Sequence, residues 1–550
     1  MLSVALCFLV GGAIPSPPSF DVTIAPWLIA RSRDVLAAPE MLGLRDVLIR
    51  SHELSDVEIP LPPGAAVLWR ILALITARIT GLDQPPNKNP KRKWQARRSQ
   101  ILSKGRLDPE AVDAYFADYS ERFDLFHPER PWLQDPRLRE ECPKTSGVNK
   151  LAWGRTAGEN QVWLGGHHHD LDPHPLDSAE AVWHLLATLG YGPSGTCTPR
   201  VVRGRSEGNV TAGPLRGTVS YHPLGRTLFE SLILNIPYPG TGAADLAFWE
   251  QPELNDPLGL PEESAGLAGI LRLDHFRHAV LLHPSPDGSH VVDAWVTWAW
   301  RERNISPELD PYLIYQTSKE GSVRPRPAKA ERAIWRDLDA LLHYGEDGNY
   351  RPTILDNCTP LAQVPQEVLD SLRLRAFGFD QDRRQARDKQ WFTATTPAVL
   401  RWLADRETDD NENARIVRRI TLARKAAEAL GRRLEKACKE AWKESNSPSS
   451  TSSGTNAKTE TGVGPWVQHG MSRYWAKAEP VFWNIVYDRP AQGYTPGMAG
   501  PGNAFNLVAL AAYDEVTGPY CERPRVAKVV ERHRSTLFSN WTPKQDKEAA

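Results

Sequence analysis

The alternation of apolar and polar positions divides the chain into a mixed first part and a helical last part. Phe20-Asp-Val-Thr-Ile-Ala-Pro-Trp-Leu-Ile29 reads as a first strand. Leu42–Ser51 and Gly64–Ile79 are apolar at helical spacing, the second with Ala65, Leu68, Leu72 and Ile75 on one face. Asp108–Asp124 reads as a helix with an Asp cap and aromatics at Tyr115, Phe116 and Tyr119. A short helix follows at Ala179–Leu189, and Thr227–Ile236 is a helix or a strand with a buried face. Leu267–His283 alternates as a strand pair, with Asp274-His-Phe-Arg-His278 at its turn or edge. Val291–Trp300 and Tyr312–Tyr315 read as strands, and Glu331–His343 as helix. Residues 134–180 show little periodicity and read as a long loop, and Gly190–Gly217 is rich in Gly and reads as a glycine-rich loop.

Beyond Trp391 the pattern becomes helical. A helix begins at Pro397–Ala404, and Asn411–Glu444 forms a long one with Ile416, Ile420, Ala423, Ala427, Leu430, Leu434 and Cys438 three and four apart. Ser445–Gly464 is Ser/Thr-rich and reads as a disordered linker. Trp466–Tyr487, Asn503–Val516 and Arg525–Ser539 are further helices. The predicted class is α+β: a large mixed α/β N-terminal domain over residues 20–388, then a C-terminal four-helix bundle over 389–545.

Met1–Ile14 is apolar and precedes Pro15-Ser-Pro-Pro. It resembles the apolar region of a secretory signal but lacks a basic start and an A-x-A-like site. Residues 1–19 therefore read as a disordered extension from an upstream start codon. No other segment reads as long and apolar enough to span a membrane.

The net charge of −1 excludes a polycation, so any nucleic-acid contact has to come from local patches. Six isolated cysteines, with no C-x-x-C pair, signal neither a zinc ribbon nor a disulfide framework. They favour a reducing compartment, and the cytoplasm is the expected location.

Several stretches carry candidate chemistry. Between Gln84 and Leu107 there are eight basic residues and no acidic one. Lys91, Arg92, Lys93, Arg97 and Arg98 make either a phosphate-facing patch or the solvated face of a loop running into a helix. Arg203–Gly217 combines glycines, which let a backbone approach a ligand, with flanking arginines that hold phosphate. The alternative there is a plain flexible loop. His167, His169, Asp170 and His174 could converge on a metal ion, although consecutive histidines diverge and no metalloenzyme spacing is matched. A polar loop with partly buried histidines is the simpler reading. Gly378-Phe-Asp-Gln-Asp-Arg-Arg-Gln-Ala-Arg-Asp-Lys-Gln-Trp391 is crowded with guanidinium and amide groups at the domain junction. It is a solvated linker or a probe that reaches into nucleic acid. No nucleophile elbow, P-loop, kinase set, zincin helix or dinucleotide fingerprint is present. The residues read as non-catalytic and call for no cofactor.

Five stretches together resemble one family: Phe20–Ile29, Leu42-Gly-Leu-Arg-Asp-Val-Leu-Ile-Arg-Ser-His52, Arg122-Phe-Asp-Leu-Phe-His-Pro-Glu-Arg-Pro-Trp132, Gly378–Arg387 and Tyr474-Trp-Ala-Lys-Ala-Glu-Pro-Val-Phe-Trp483. The chain is similar to the CasA-type large subunit of Cascade, the type I-E CRISPR surveillance complex, from Phe20 onward. The resemblance implies a complex assembled on crRNA with other Cascade subunits. It also implies recognition of a protospacer-adjacent motif in duplex DNA from the minor groove, strand separation, and recruitment of a helicase–nuclease. It implies a wedge at Gln385-Ala386 beside Arg384, a basic finger at Arg277, and a groove-facing glycine loop at Gly208-Asn209, with Gly192–Gly195 as a competing match. It places Trp153 near the 5′ end of the crRNA. The rival from another class is a metal-dependent hydrolase built on the His167–His174 cluster.

Overall fold

The helix Pro62–Thr80 is the centre of the first part. Two prolines open it, where a missing N–H costs nothing, and Gly81 closes it in the left-handed region at φ 65°. Every residue from Pro63 to Ala77 is buried. A helix that is apolar on all sides belongs inside a core. By length and composition this helix is also able to cross a membrane, and 83% of the relevant window is buried within the protein. The expectation that no segment beyond the N-terminus meets that test is corrected, and packing explains the apolarity. Arg70 is its one buried charge; it pairs with Asp310 at 2.8 Å and lies over the Tyr312 ring at 4.7 Å.

The structure is a computed structural model describing residues 17–157, 168, 170–240, 245–259, 266–300, 309–318, 320–342, 349–359, 362–382, 387–402, 412–446 and 464–538. Around the central helix pack the helices Ser178–Tyr191 and Leu228–Leu234 and the strand Arg373–Asp382. Among the described residues the sheets hold two or three strands each. In the sheet that matters most here, Arg373–Asp382 is the middle strand, antiparallel to both Val219–Leu224 and Arg387–Thr395.

Several sequence expectations change. Phe20–Ile29 is mostly turn: the Asp21 carboxylate accepts from the Thr23 N–H at 2.8 Å and hydroxyl at 2.7 Å, and the strand runs over Leu28–Ser32. Residues 17–19 are not all extension, because the Ser19 hydroxyl donates to Asp124 at 2.7 Å. The stretch Leu267–His283 is a short helix, Leu267–Ile270, followed by the strand His278–Pro284. Leu267, Ala268 and Leu271 bury one helical face there, which overrides the alternation. That strand pairs with His290–Trp298. Gly190–Gly217 is a loop only in part: Gly195–Val202 and Arg205–Val210 form a hairpin, and residues 211–217 are turn and irregular chain. Its two-residue turn, Arg203-Gly204, has φ of 49° and 78°. Two positive φ values match the twist that hairpin strands need.

The boundary at 388/389 falls inside a strand, since Arg387–Thr395 is paired with Arg373–Asp382. The helical part comprises Glu412–Ser445, Pro465–Val486, Ala504–Thr517 and Pro524–Arg534, the first packing against the other three. A seam joins it to the first part. Trp335 stacks on Phe482 at 4.5 Å, and Arg336 lies 3.6 Å over the Trp475 ring while its guanidinium meets Glu428 at 2.8 Å. Residues 1–16 and 447–463 lie outside the described residues, so most of the expected extension and linker is not described.

Candidate nucleic-acid interface

The stretch that read as a junction is the hairpin Arg373–Thr395. Its strands pair up to Asp382 and Arg387, so residues 383–386 form the connection. Arg384, Gln385 and Ala386 lie outside the described residues. The register shifts between Asp380 and Gln381, and such an irregularity bends a strand end. Gly378 is required by packing: a Cβ there would come within 2.2 Å of the Phe392 ring.

The root of this hairpin is stiff. Arg375 forms a bidentate ion pair with the buried Asp56. Phe379 and Trp391 face each other across the strands, nearly parallel at 14°. Trp153 closes the cluster edge-on, 5.5 Å from Phe379 and 6.0 Å from Trp391. Two hydrogen bonds fix Trp153: its backbone N–H donates to His184 Nδ1 at 3.0 Å and its indole to the Thr188 hydroxyl at 3.1 Å. Arg216 covers Phe379 from 4.8 Å, and burial pushes its pKa down to about 10. The structure thus joins Trp153 to the segment carrying Gln385, which the sequence treats as separate sites. In the sequence reading Phe379 and Trp391 only bound the junction stretch, and Arg216 figures only among the phosphate-holding arginines of Arg203–Gly217. The signal was present: apolar Ala376-Phe-Gly-Phe379 and Gln390-Trp-Phe392 flank a polar tip, as hairpin arms do.

Gly208 and Asn209 lie on the outer strand of the Gly195–Val210 hairpin, with Asn209 exposed. The root of this hairpin is ionic. Arg200 is fully buried, donating to Asp135 at 2.8 Å and to Glu141 at 2.6 Å. Burial raises the Asp135 pKa, but hydrogen bonds from Arg137 and the charge of Arg200 bring it to a net position below the usual carboxylate range. Arg277 does not project as a finger. It is half-buried and donates to the Ala212 carbonyl at 2.9 Å, just beyond the hairpin. Arg277 and Gly208-Asn209 therefore belong to one assembly, further tied by the Trp298 indole donating to the Glu207 carbonyl at 2.9 Å. Gly192, the competing match, packs against His278, whose imidazole would lie 2.5 Å from an added Cβ.

The basic stretch forms the helix Pro90–Lys104. Lys91, Arg92, Lys93 and Arg97 are exposed. Arg98 is not: it is fully buried and donates to the carbonyls of Asn357 at 2.6 Å and Ala362 at 3.2 Å. Burial pushes its pKa down to about 10. The cause is helical spacing, because Trp94 and Arg98 share a face and Trp94 is buried with its indole bonded to the Leu82 carbonyl at 2.7 Å. Arg98 leaves the predicted phosphate patch and becomes a strut between segments.

Of the histidine cluster, His167 and His169 lie outside the described residues. Asp170 accepts from the Asn149 amide at 3.0 Å, and His168 meets His174 edge-on at 5.7 Å. Among the described residues no three His, Cys, Asp or Glu side chains are grouped to hold an ion.

Comparison with known proteins agrees with the sequence resemblance. The family described as CRISPR-associated protein Cse1 matches residues 21–494. The chain belongs to the CRISPR-associated Cse1 family. A CasA/Cse1 protein of Thermus thermophilus is 26% identical over 336 residues, 59% of this chain and 60% of that protein. The chain thus matches about three-fifths of that relative's length. A chain from a solved CRISPR RNA-guided surveillance complex is 93% identical, with 95% of this chain and 100% of that one covered and a TM-score of 0.85. Thermobifida fusca Cse1 is 18% identical, with 94% and 98% covered and a TM-score of 0.71, a likeness of fold. Within the Cse1 family match fall both hairpins, the basic helix and Trp153.

Proposed function

We propose that this Cse1 chain is the large subunit of a crRNA-guided surveillance complex and that it has no catalytic role of its own. The observation that carries this reading is its 93% identity, over 95% of its length, to a chain solved within such a complex. In the proposed mechanism the chain sits with crRNA and the other Cascade subunits and meets duplex DNA through its two hairpins. The Arg373–Thr395 hairpin supplies the wedge: Gln385 and Ala386 enter beside the last motif base pair from the minor groove, and Arg384 anchors phosphate. Unstacking a base step costs a few kcal/mol, which new contacts offset. A flexible support would yield before the base pairs did, so the ion-paired, aromatic root of this hairpin favours the assignment.

Gly208-Asn209 presents backbone to the same groove, with Arg277 bracing it from behind. The minor groove carries a degenerate code, so several motifs are tolerated. Once base pairing with the guide takes over sequence reading, the subunit recruits the helicase–nuclease. The C-terminal helices act as a four-helix bundle, moving as one piece against the Trp335 seam. Location is cytoplasmic, where crRNA and invading DNA meet.

A motif-library binding assay with the reconstituted complex tests the reading. The expected result is enrichment of a small related set of motifs immediately beside the guide-matched sequence. Equal binding to all motifs would overturn it. Stoichiometric zinc in the purified chain, with loss of function on its removal, would favour the hydrolase reading instead.

A further inference from the structure

The strands Leu28–Ser32 and Glu40–Leu42 are joined by a short connection that carries a continuous apolar run, Val35-Leu-Ala-Ala-Pro39, exposed throughout. Val35 and Leu36 are each 94% exposed. Apolar residues scattered singly on a surface are ordinary, but an unbroken exposed run calls for something to cover it. Turn preferences do not account for it. Turns in water favour Gly, Pro, Asn, Asp and Ser, whereas here Val35 and Leu36 take the two central positions.

The run is held out by its own backbone. The Asp34 carbonyl accepts from the Ala37 N–H at 3.1 Å, the Asp34 carboxylate from the Leu36 N–H at 3.0 Å, and the Ser32 hydroxyl from the Asp34 N–H at 3.0 Å. Beneath the turn, the Arg50 guanidinium donates twice to Glu40, at 2.6 and 3.0 Å. A turn bonded in this way loses little freedom when it docks. The apolar surface continues along the sheet edge. Glu40–Leu42 is the outer strand, Met41 on it is 43% exposed, and the backbone of Ile24, itself 67% exposed, abuts Gly43.

The charges nearby select the kind of partner. Arg31 pairs with Glu58 at 3.0 Å, Arg45 with Asp113 at 2.6 Å, and Arg50 with Glu40. These cations are already neutralised, so the face offers phosphate little. Arg33 and Asp34 flank the run, both exposed, with one charge of each sign. An apolar centre with a mixed polar rim is the anatomy of a protein–protein contact, whereas nucleic-acid interfaces are strongly positive. We propose that the Val35–Pro39 turn docks into an apolar cleft on a neighbouring protein subunit of the surveillance complex. The inference rests on the reading of this chain as a subunit of such a complex, in which a chain 93% identical to it was solved.

The test titrates the full-length chain into the crRNA-bound remainder of the complex and reads the affinity with which it joins. The pair Val35→Ser and Leu36→Ser is expected to weaken joining by about tenfold or more, as loss of buried aliphatic surface does. The pair Val35→Ile and Leu36→Met should join as the wild-type chain does. All four changes face water in the isolated chain, so its urea denaturation should not move. Equal joining by the serine pair would overturn the proposal, and so would an equal loss in both pairs. Leu36→Cys labelled with benzophenone maleimide, the label located by peptide mapping, then identifies the neighbour. Ultraviolet light should couple it to a protein subunit other than this chain. Coupling to crRNA, to DNA, to a second copy of this chain or to nothing would overturn the proposal. If the wild-type chain joins and the serine pair joins equally, docking fails and the proposed function stands. If the wild-type chain does not join at all, the proposed function fails and the docking proposal falls with it.

Discussion

The two hairpins present polar surface from opposite kinds of root. Arg373–Thr395 supplies the middle and one edge strand of a sheet against the central helix, and its root is a ring cluster of Phe379, Trp391 and Trp153. Gly195–Val210 is a two-stranded ribbon, and its root is the buried Arg200 with Asp135 and Glu141. A ribbon alone is marginal in water, so the ionic anchor does for it what the sheet does for the other. A polar hairpin is thus held rigid either by apolar packing or by a saturated charge network. The two fail differently: packing degrades by degrees, whereas a buried charge that loses its partner is costly at once.

Breaking the ionic root is expected to have the largest effect. Arg200→Ala leaves Asp135 buried with one partner fewer and should cost about 3–5 kcal/mol in urea denaturation. Trp153→Ala removes two edge-on ring contacts from the apolar root and should cost about 1–3 kcal/mol by the same measurement. A loss for Arg200→Ala no larger than that for Trp153→Ala would break the comparison. The roots also differ in pH response. His278 bonds the start of the ribbon, and burial lowers its pKa from 6.5 to about 4. The unfolded chain therefore binds the extra proton first. The His278 contribution is full above pH about 6.5 and is lost as pH falls toward 4. A stability–pH profile should flatten in that window in His278→Gln. Smallest in stability is the basic helix: neutralising Lys91, Arg92 and Lys93 together should change folding by less than about 0.5 kcal/mol per site. It should still lower the salt dependence of DNA binding, by up to about 0.9 in logarithmic slope for each phosphate no longer neutralised.

The long helices were legible because their apolar spacing survives burial. Pro62–Thr80 and Glu412–Ser445 lie within about two residues of their sequence bounds. The hairpins were not, because polar and basic residues crowd the middle of one and glycines and arginines the turn of the other, and composition alone points to loops. The Arg203-Gly204 turn shows the reason: Arg203 takes a positive φ that its residue type does not announce, so Gly204 alone marks the turn in the sequence. Arg98 shows another, since a basic residue four positions from a tryptophan follows that ring into the interior. Trp153 was singled out from the sequence, but its contact with Phe379 spans the fold and no local pattern announces it.

The Arg373–Thr395 hairpin is proposed above as the rigid support of a wedge at Gln385. Its most direct test is R-loop formation by complexes carrying wild-type chain or Gln385→Ala, on a target with a correct motif. Assembly and crRNA binding are expected to stay intact, with strand opening slowed about 10–100-fold, the equivalent of a few kcal/mol at one base step. Opening at the wild-type rate in Gln385→Ala would contradict it.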